Sequence, residues 1–88
     1  MWNKKPESEK KHKCACCGYY TVYFTGDICP VCFWEEDIVK DLEEPSCANH
    51  GLTLSQAREN YKALGACEKE MLPYVRKPKP EELSWLDN

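Results

Sequence analysis

The chain has 88 residues, with 15 acids against 12 lysines and arginines, for a formal charge of -3. One domain is the expectation at that length. The acidity speaks against a protein that wraps a phosphate backbone, and no apolar run is long enough to span a membrane. Leu, Ile, Val and Phe number only 15, so the core is small, and domains with so little to bury usually need a disulfide set or a structural metal.

Residues 1–13 carry five lysines and two glutamates without apolar periodicity. They read as a flexible N-terminal segment with no apolar signal stretch. Trp2 is the exception, an aromatic that is exposed or loosely docked. His12, between two lysines, reads as a solvated side chain.

Next come Cys14 and Cys17, then eleven residues, then Cys29 and Cys32. Gly18 follows the first pair, and Pro30 opens the interior of the second. Two such pairs brought together supply four thiolates at the corners of a tetrahedron, the geometry of a closed zinc site. The odd total of seven cysteines, clustered rather than spread, favours reduced thiolates in a cytoplasmic protein over a disulfide framework. The metal ligands are read as Cys14, Cys17, Cys29 and Cys32, holding one zinc ion. Iron is the competing metal, since four thiolates also suit a rubredoxin-like centre. Cys16 competes with Cys17 as second ligand; the spacing and Gly18 favour Cys17 and leave Cys16 a free thiol. Cys47 and His50 form a C-x2-H that, with Cys16 or Cys67, would make a second site, but it has no second half of comparable quality.

Tyr19 to Ile28 is dense in aromatic and β-branched residues, which suits a strand. Thr25-Gly26-Asp27 supplies a turn, so a β-hairpin, or a short strand with a return, is predicted between the two cysteine pairs. Phe33 and Trp34 follow the second pair and are placed to shield it from water. The adjoining acids Glu35, Glu36 and Asp37 read as a solvated turn, or as a recognition patch for a basic partner. Residues 41–51 form a loop. A helix is predicted over 53–64: Thr53 and Gln56 fit a capping box, Leu54, Ala57, Tyr61 and Leu64 share one face, and Gly65 stops it. Arg58, Glu59 and Asn60 fall on its exposed side. One further helical turn is predicted over 68–72. Pro73, Pro78 and Pro80 punctuate the rest, with a last turn over 81–86. The organisation is thus a lead-in over 1–13, a domain over 14–72 and a proline-punctuated segment over 73–88. The fold class is a small α+β metal-stapled domain, with zinc-ribbon-like knuckles joined by a hairpin and packed by one main helix.

Three stretches, Cys-Ala-Cys-Cys-Gly-Tyr at 14–19, Asp-Ile-Cys-Pro-Val-Cys-Phe-Trp-Glu-Glu-Asp at 27–37 and Leu-Thr-Leu-Ser-Gln-Ala-Arg-Glu-Asn-Tyr at 52–61, resemble the bacterial cysteine-rich CPCC family. The resemblance spans roughly residues 14–65. It implies a small zinc-binding protein of a functionally uncharacterised family, with ligands at the same four cysteines. Ala15 stands where the family's first motif has proline, which loosens that knuckle slightly, and Cys47 stands where the family usually carries glycine.

No catalytic set and no glycine-rich phosphate loop is present. The leading expectation is a structural zinc module that binds another protein through the Trp34–Asp37 turn and the exposed side of the helix. Nucleic-acid binding is the alternative, with Lys4, Lys5, Lys10, Lys11 and Lys13 on phosphates beside Tyr19, Tyr20 and Tyr23. A redox or metal-dependent enzyme comes third and would need an open metal position.

Overall fold

The computed structural model describes residues 11–38 and 41–83. The readings for Trp2, Lys4, Lys5, Lys10 and the end of the last turn at 84–86 lie outside them.

Two antiparallel pairs organise the first half. Strands β1 (His12–Lys13) and β2 (Tyr20–Val22) flank the first cysteine turn. Within it the Cys14 N–H donates to the Tyr19 carbonyl at 2.8 Å, and the Gly18 N–H donates to Cys14 at 2.9 Å. The second turn repeats this pattern. Cys29 donates to Trp34 at 2.9 Å, Phe33 donates to Cys29 at 2.7 Å, and Ile28 bridges Glu35. This corrects the predicted placement of the hairpin. It does not join the knuckles but encloses the first one, and a shorter pair encloses the second.

β2 also ends earlier than its composition predicts. The Asp27 carboxylate accepts the N–H groups of Tyr23 and Phe24 at 2.8 and 3.1 Å and diverts the backbone into a turn, with Gly26 at φ 98°. Aromatic and β-branched content gives strand propensity, but a local carboxylate acceptor competes for the same amides.

The register of β1 on β2 slips by one residue: His12 faces Val22 while Lys13 faces Tyr20. Strict alternation would send Thr21 and Val22 to opposite faces. The bulge turns both inward, leaving Thr21 7% and Val22 1% exposed.

Helix α1 (Leu54–Leu64) forms as predicted. The Thr53 hydroxyl accepts from Gln56 N–H, the Gln56 side chain accepts from Thr53 N–H, and Gly65 closes the helix at φ 93°. Leu54 and Ala57 are buried against the cysteine turns, and Tyr61 meets Tyr19 edge-on at 6.4 Å. Leu64, on the same predicted stripe, is exposed, while Ala66 and Cys67 just past Gly65 are buried. Each fully buried large apolar side chain, Trp34 or Val22 among them, contributes about 2 kcal/mol.

The chain then returns to the cysteine turns. Cys67 N–H donates to Cys32 at 2.8 Å, and the 3-10 segment Lys69–Tyr74 packs on α1. Residues beyond Pro73 form a strap. Arg76 N–H reaches the Pro30 carbonyl at 3.2 Å, and the 3-10 turn Pro80–Glu82 packs on β2. Glu82, only 2% exposed, takes the Arg76 guanidinium on both oxygens at 2.9 and 2.7 Å and the Lys79 N–H at 2.8 Å. That pairing holds the Glu82 carboxyl down at about 2. Among the described residues no helix is long and apolar enough to cross a membrane.

Candidate metal centre

The two cysteine turns converge. The sulfurs of Cys14, Cys17, Cys29 and Cys32 all lie within 4.8 Å of one another. Cys14 Sγ is 3.5 Å from Cys32 Sγ, and Cys17 Sγ is 3.7 Å from Cys29 Sγ. A disulfide is about 2.05 Å long, so these are separate thiols. A tetrahedron with metal–sulfur distances of about 2.3 Å has edges of about 3.8 Å, so the four sulfurs are spaced to hold one ion. Cys14, Cys29 and Cys32 are at most 1% exposed, whereas Cys17 is half-buried at the edge.

Local structure aims these groups. In both turns the residue after the second cysteine adopts a left-handed conformation, Gly18 at φ 84° and Phe33 at φ 70°. That conformation lets the chain fold back on the first cysteine of each pair. Val31 N–H points at Cys29 Sγ at 3.3 Å, and the Thr21 hydroxyl, turned inward by the bulge, lies 3.0 Å from the same sulfur. Cys29 is the acid of the set. Hydrogen bonds from the Cys14, Cys17 and Cys32 thiols, with Thr21 adding, drive its pKa far down. Cys32 is driven up, first through its hydrogen bond to Cys14, and Cys14 is driven up, first through its hydrogen bond to Cys17. One negative charge is easily held here and further ones repel, which is the electrostatics of a site completed by a cation.

The remaining candidates fall elsewhere. Cys16 is buried in the same core but is not one of the four converging thiols. Cys67 is 2% exposed, and burial pushes its thiol up to about 12. Cys47 and His50 are exposed, and His50 Nδ1 meets Glu68 Oε1 at 2.8 Å, which raises the histidine pKa. Among the described residues these four form no second group of metal-ligating side chains. His12 is exposed on β1.

The acidic turn departs from its predicted role. Trp34 is 1% exposed and Glu36 8%. Glu36 accepts the Ala15 N–H at 3.1 Å, tying the second knuckle to the first, and Asp37 accepts the Ser46 hydroxyl at 2.7 Å. Glu36 and Asp37 thus serve as internal staples. Arg58, on the exposed side of α1, donates through Nε to the Ala15 carbonyl at 2.9 Å, and Asn60 donates to the Cys67 carbonyl at 2.9 Å. Sequence reasoning missed Thr21, Asn49 and Glu82 as supports. Only Glu82 left a signal, an acid two residues past Pro80 and six past an arginine.

No curated protein and no solved structure matches the chain. The family model described as Cysteine-rich CPCC matches residues 12–82, which takes in β1, both cysteine turns, α1 and the strap to Glu82. The chain with this four-thiol centre therefore belongs to the cysteine-rich CPCC family.

Proposed function

We propose that this protein is a small cytoplasmic module folded around one zinc ion, with a surface for another protein and no catalytic step of its own. The observation that supports it is the convergence of four thiols at tetrahedral spacing, three of them fully buried. A closed four-thiolate set leaves no position for water or substrate, so the ion's role is to hold the fold. Reduced thiols fit a cytoplasmic setting. Iron is the alternative metal and would appear in absorbance and metal analysis.

Native mass spectrometry before and after a strong chelator tests the metal. One zinc per chain, with unfolding on its removal, is the expected result; a folded, metal-free chain overturns it. Cross-linking and pull-down with the zinc-loaded chain test the partner, and the absence of any specific protein partner overturns that half.

A second reading has one observation in its favour. Lys11 Nζ lies 5.8 Å from the Tyr23 ring centre and Lys13 Nζ 6.0 Å from that of Tyr20, so cations and aromatics share the β1–β2 pair and the residues just beyond it. Single-stranded nucleic acid would use such a surface. Micromolar binding with a steep salt dependence would replace the protein partner with this one.

A further inference from the structure

A concavity of about 120 Å³ opens between the second knuckle, the turn at 47–50 and the segment at 67–71. It is separate from the four-thiol set, although Cys67 contributes to its lining. Ile28, Phe33 and Met71 give it apolar walls, and Glu35, His50 and Glu68 give it polar ones.

Three features make it a built pocket. First, its walls are fixed to one another. The Asn49 side chain bonds both peptide groups of Glu35 at 2.8 and 2.9 Å, and Cys67 N–H bonds the Cys32 carbonyl. Second, Phe33 stands in a left-handed conformation that bulky residues avoid, and its ring lies 5.4 Å from Tyr74. The cysteine turn imposes that φ, so the ring is held at the pocket wall by the knuckle itself. Third, the charge is one-sided. Among the described residues, the half-buried Glu35 carboxylate has no hydrogen bond or ion pair, the Glu68 carboxylate engages only His50, and no lysine or arginine lines the pocket. Two carboxylates against one histidine leave a net negative charge whether or not the imidazole is protonated.

Sites for cofactors and other small molecules usually run from roughly 300 to 1,000 Å³, so this pocket is of a size for a single side chain. An apolar wall beneath a carboxylate suits a side chain with a methylene stem and a cationic head. We propose that the pocket receives one lysine or arginine side chain of a partner protein, its stem against Ile28, Phe33 and Met71 and its head at Glu35 and Glu68. The assignment rests on the reading of the module as a protein-binding one. The partner segment is basic, in keeping with a host chain of charge -3.

The test titrates the 15N-labelled, zinc-loaded full chain with N-acetyl-lysine methylamide, its arginine counterpart and its norleucine counterpart. Saturable shifts of the Phe33, Glu35 and Glu68 amides are expected with the two cationic probes. Affinity should fall at least tenfold for norleucine and for the Glu35→Gln variant. Glu35→Gln leaves the backbone bonds to Asn49 intact, so its spectrum away from the pocket should match the wild type. No saturable shift, or equal binding of norleucine, overturns the proposal. Tighter binding of free butylamine than of the capped amino acids also overturns it, by assigning the pocket to a small amine. A cross-linked partner retained equally by Glu35→Gln overturns this pocket while leaving the protein-binding reading standing.

Discussion

The two cysteine turns share a backbone but not a side chain at the decisive position. Each folds its fifth residue's N–H onto the first cysteine's carbonyl, at 2.9 Å in one and 2.7 Å in the other, and each needs a positive φ there. The first turn meets that need with Gly18, at no steric cost. The second meets it with Phe33, at a cost of about 1–2 kcal/mol. The first turn is closed by a bulged strand pair, and its glycine bears no side chain. The second carries a ring that stacks on Tyr74 and walls a pocket. One fold of the backbone thus serves two ends: one turn only places its sulfurs, while the other also builds a surface.

The largest effect that bears on this comparison is removal of the proposed ion, which would act on both turns at once. A chelator should unfold the chain, since the binding free energy of a structural zinc, on the order of 10 kcal/mol, appears as folding free energy. Circular dichroism during titration would show a single loss of structure. Separate melting of the two turns would break the view that they form one unit.

The next effect reaches both turns through the strap, which bonds the Pro30 carbonyl in the second and packs on β2 beside the first. Glu82→Ala removes the acceptor of the Arg76 and Lys79 N–H groups and, with Arg76 left partly open to solvent, should cost about 2 kcal/mol in urea denaturation. Acid should do the same by degrees. The carboxyl is held at about 2, below its ordinary 4.5. The pair's contribution is therefore complete above about pH 5 and fades as pH falls toward 2. Acid unfolding of Glu82→Gln should lack this component.

The third experiment exchanges the residues that differ. Gly18→Ala meets no atom within 4 Å, so its cost, about 1 kcal/mol, is purely conformational. At position 33 both Ala and Gly lose the ring, but only Ala keeps the strained φ. Phe33→Gly should therefore be more stable than Phe33→Ala by about 1 kcal/mol. The reverse order would show that Phe33 is not strained.

The smallest effect lies at the pocket rim. His50 is raised, first by its hydrogen bond to Glu68. A raised histidine contributes stability that is full below its ordinary 6.5 and is lost as pH rises through the raised value. Glu68→Gln should lower the His50 midpoint in an NMR titration while leaving the fold intact.

Much of this could be read from residue spacing. The four converging thiols follow from C-x2-C repeated, and α1 follows from Thr53, Gln56, its apolar stripe and Gly65, because caps and periodicity are local properties. What escaped depends on contacts between distant segments. The hairpin was misplaced because β2 finds its partner before the first turn, at His12 and Lys13, where the composition resembles a polar tail. The acids at 35–37 look solvated in sequence, yet Glu36 is buried by an amide 21 positions away. The strap was opaque for the same reason: Arg76 and Pro80 hint at a role for Glu82, but its burial needs the back of β2, which nothing within the proline-rich segment announces.

Asn49 has a wider consequence. Glu35 pairs with Ile28 through bonds made by the flanking residues, so its own N–H and C=O face outward, where a strand from another molecule could continue the ladder. The Asn49 carboxamide occupies both, acting as a strand of one side chain. Exposed ladder edges are templates for intermolecular sheet growth. A protein that keeps Ile28 at the surface and a pocket beside it has this edge already closed, so any contact with another chain there would fall to side chains rather than to backbone.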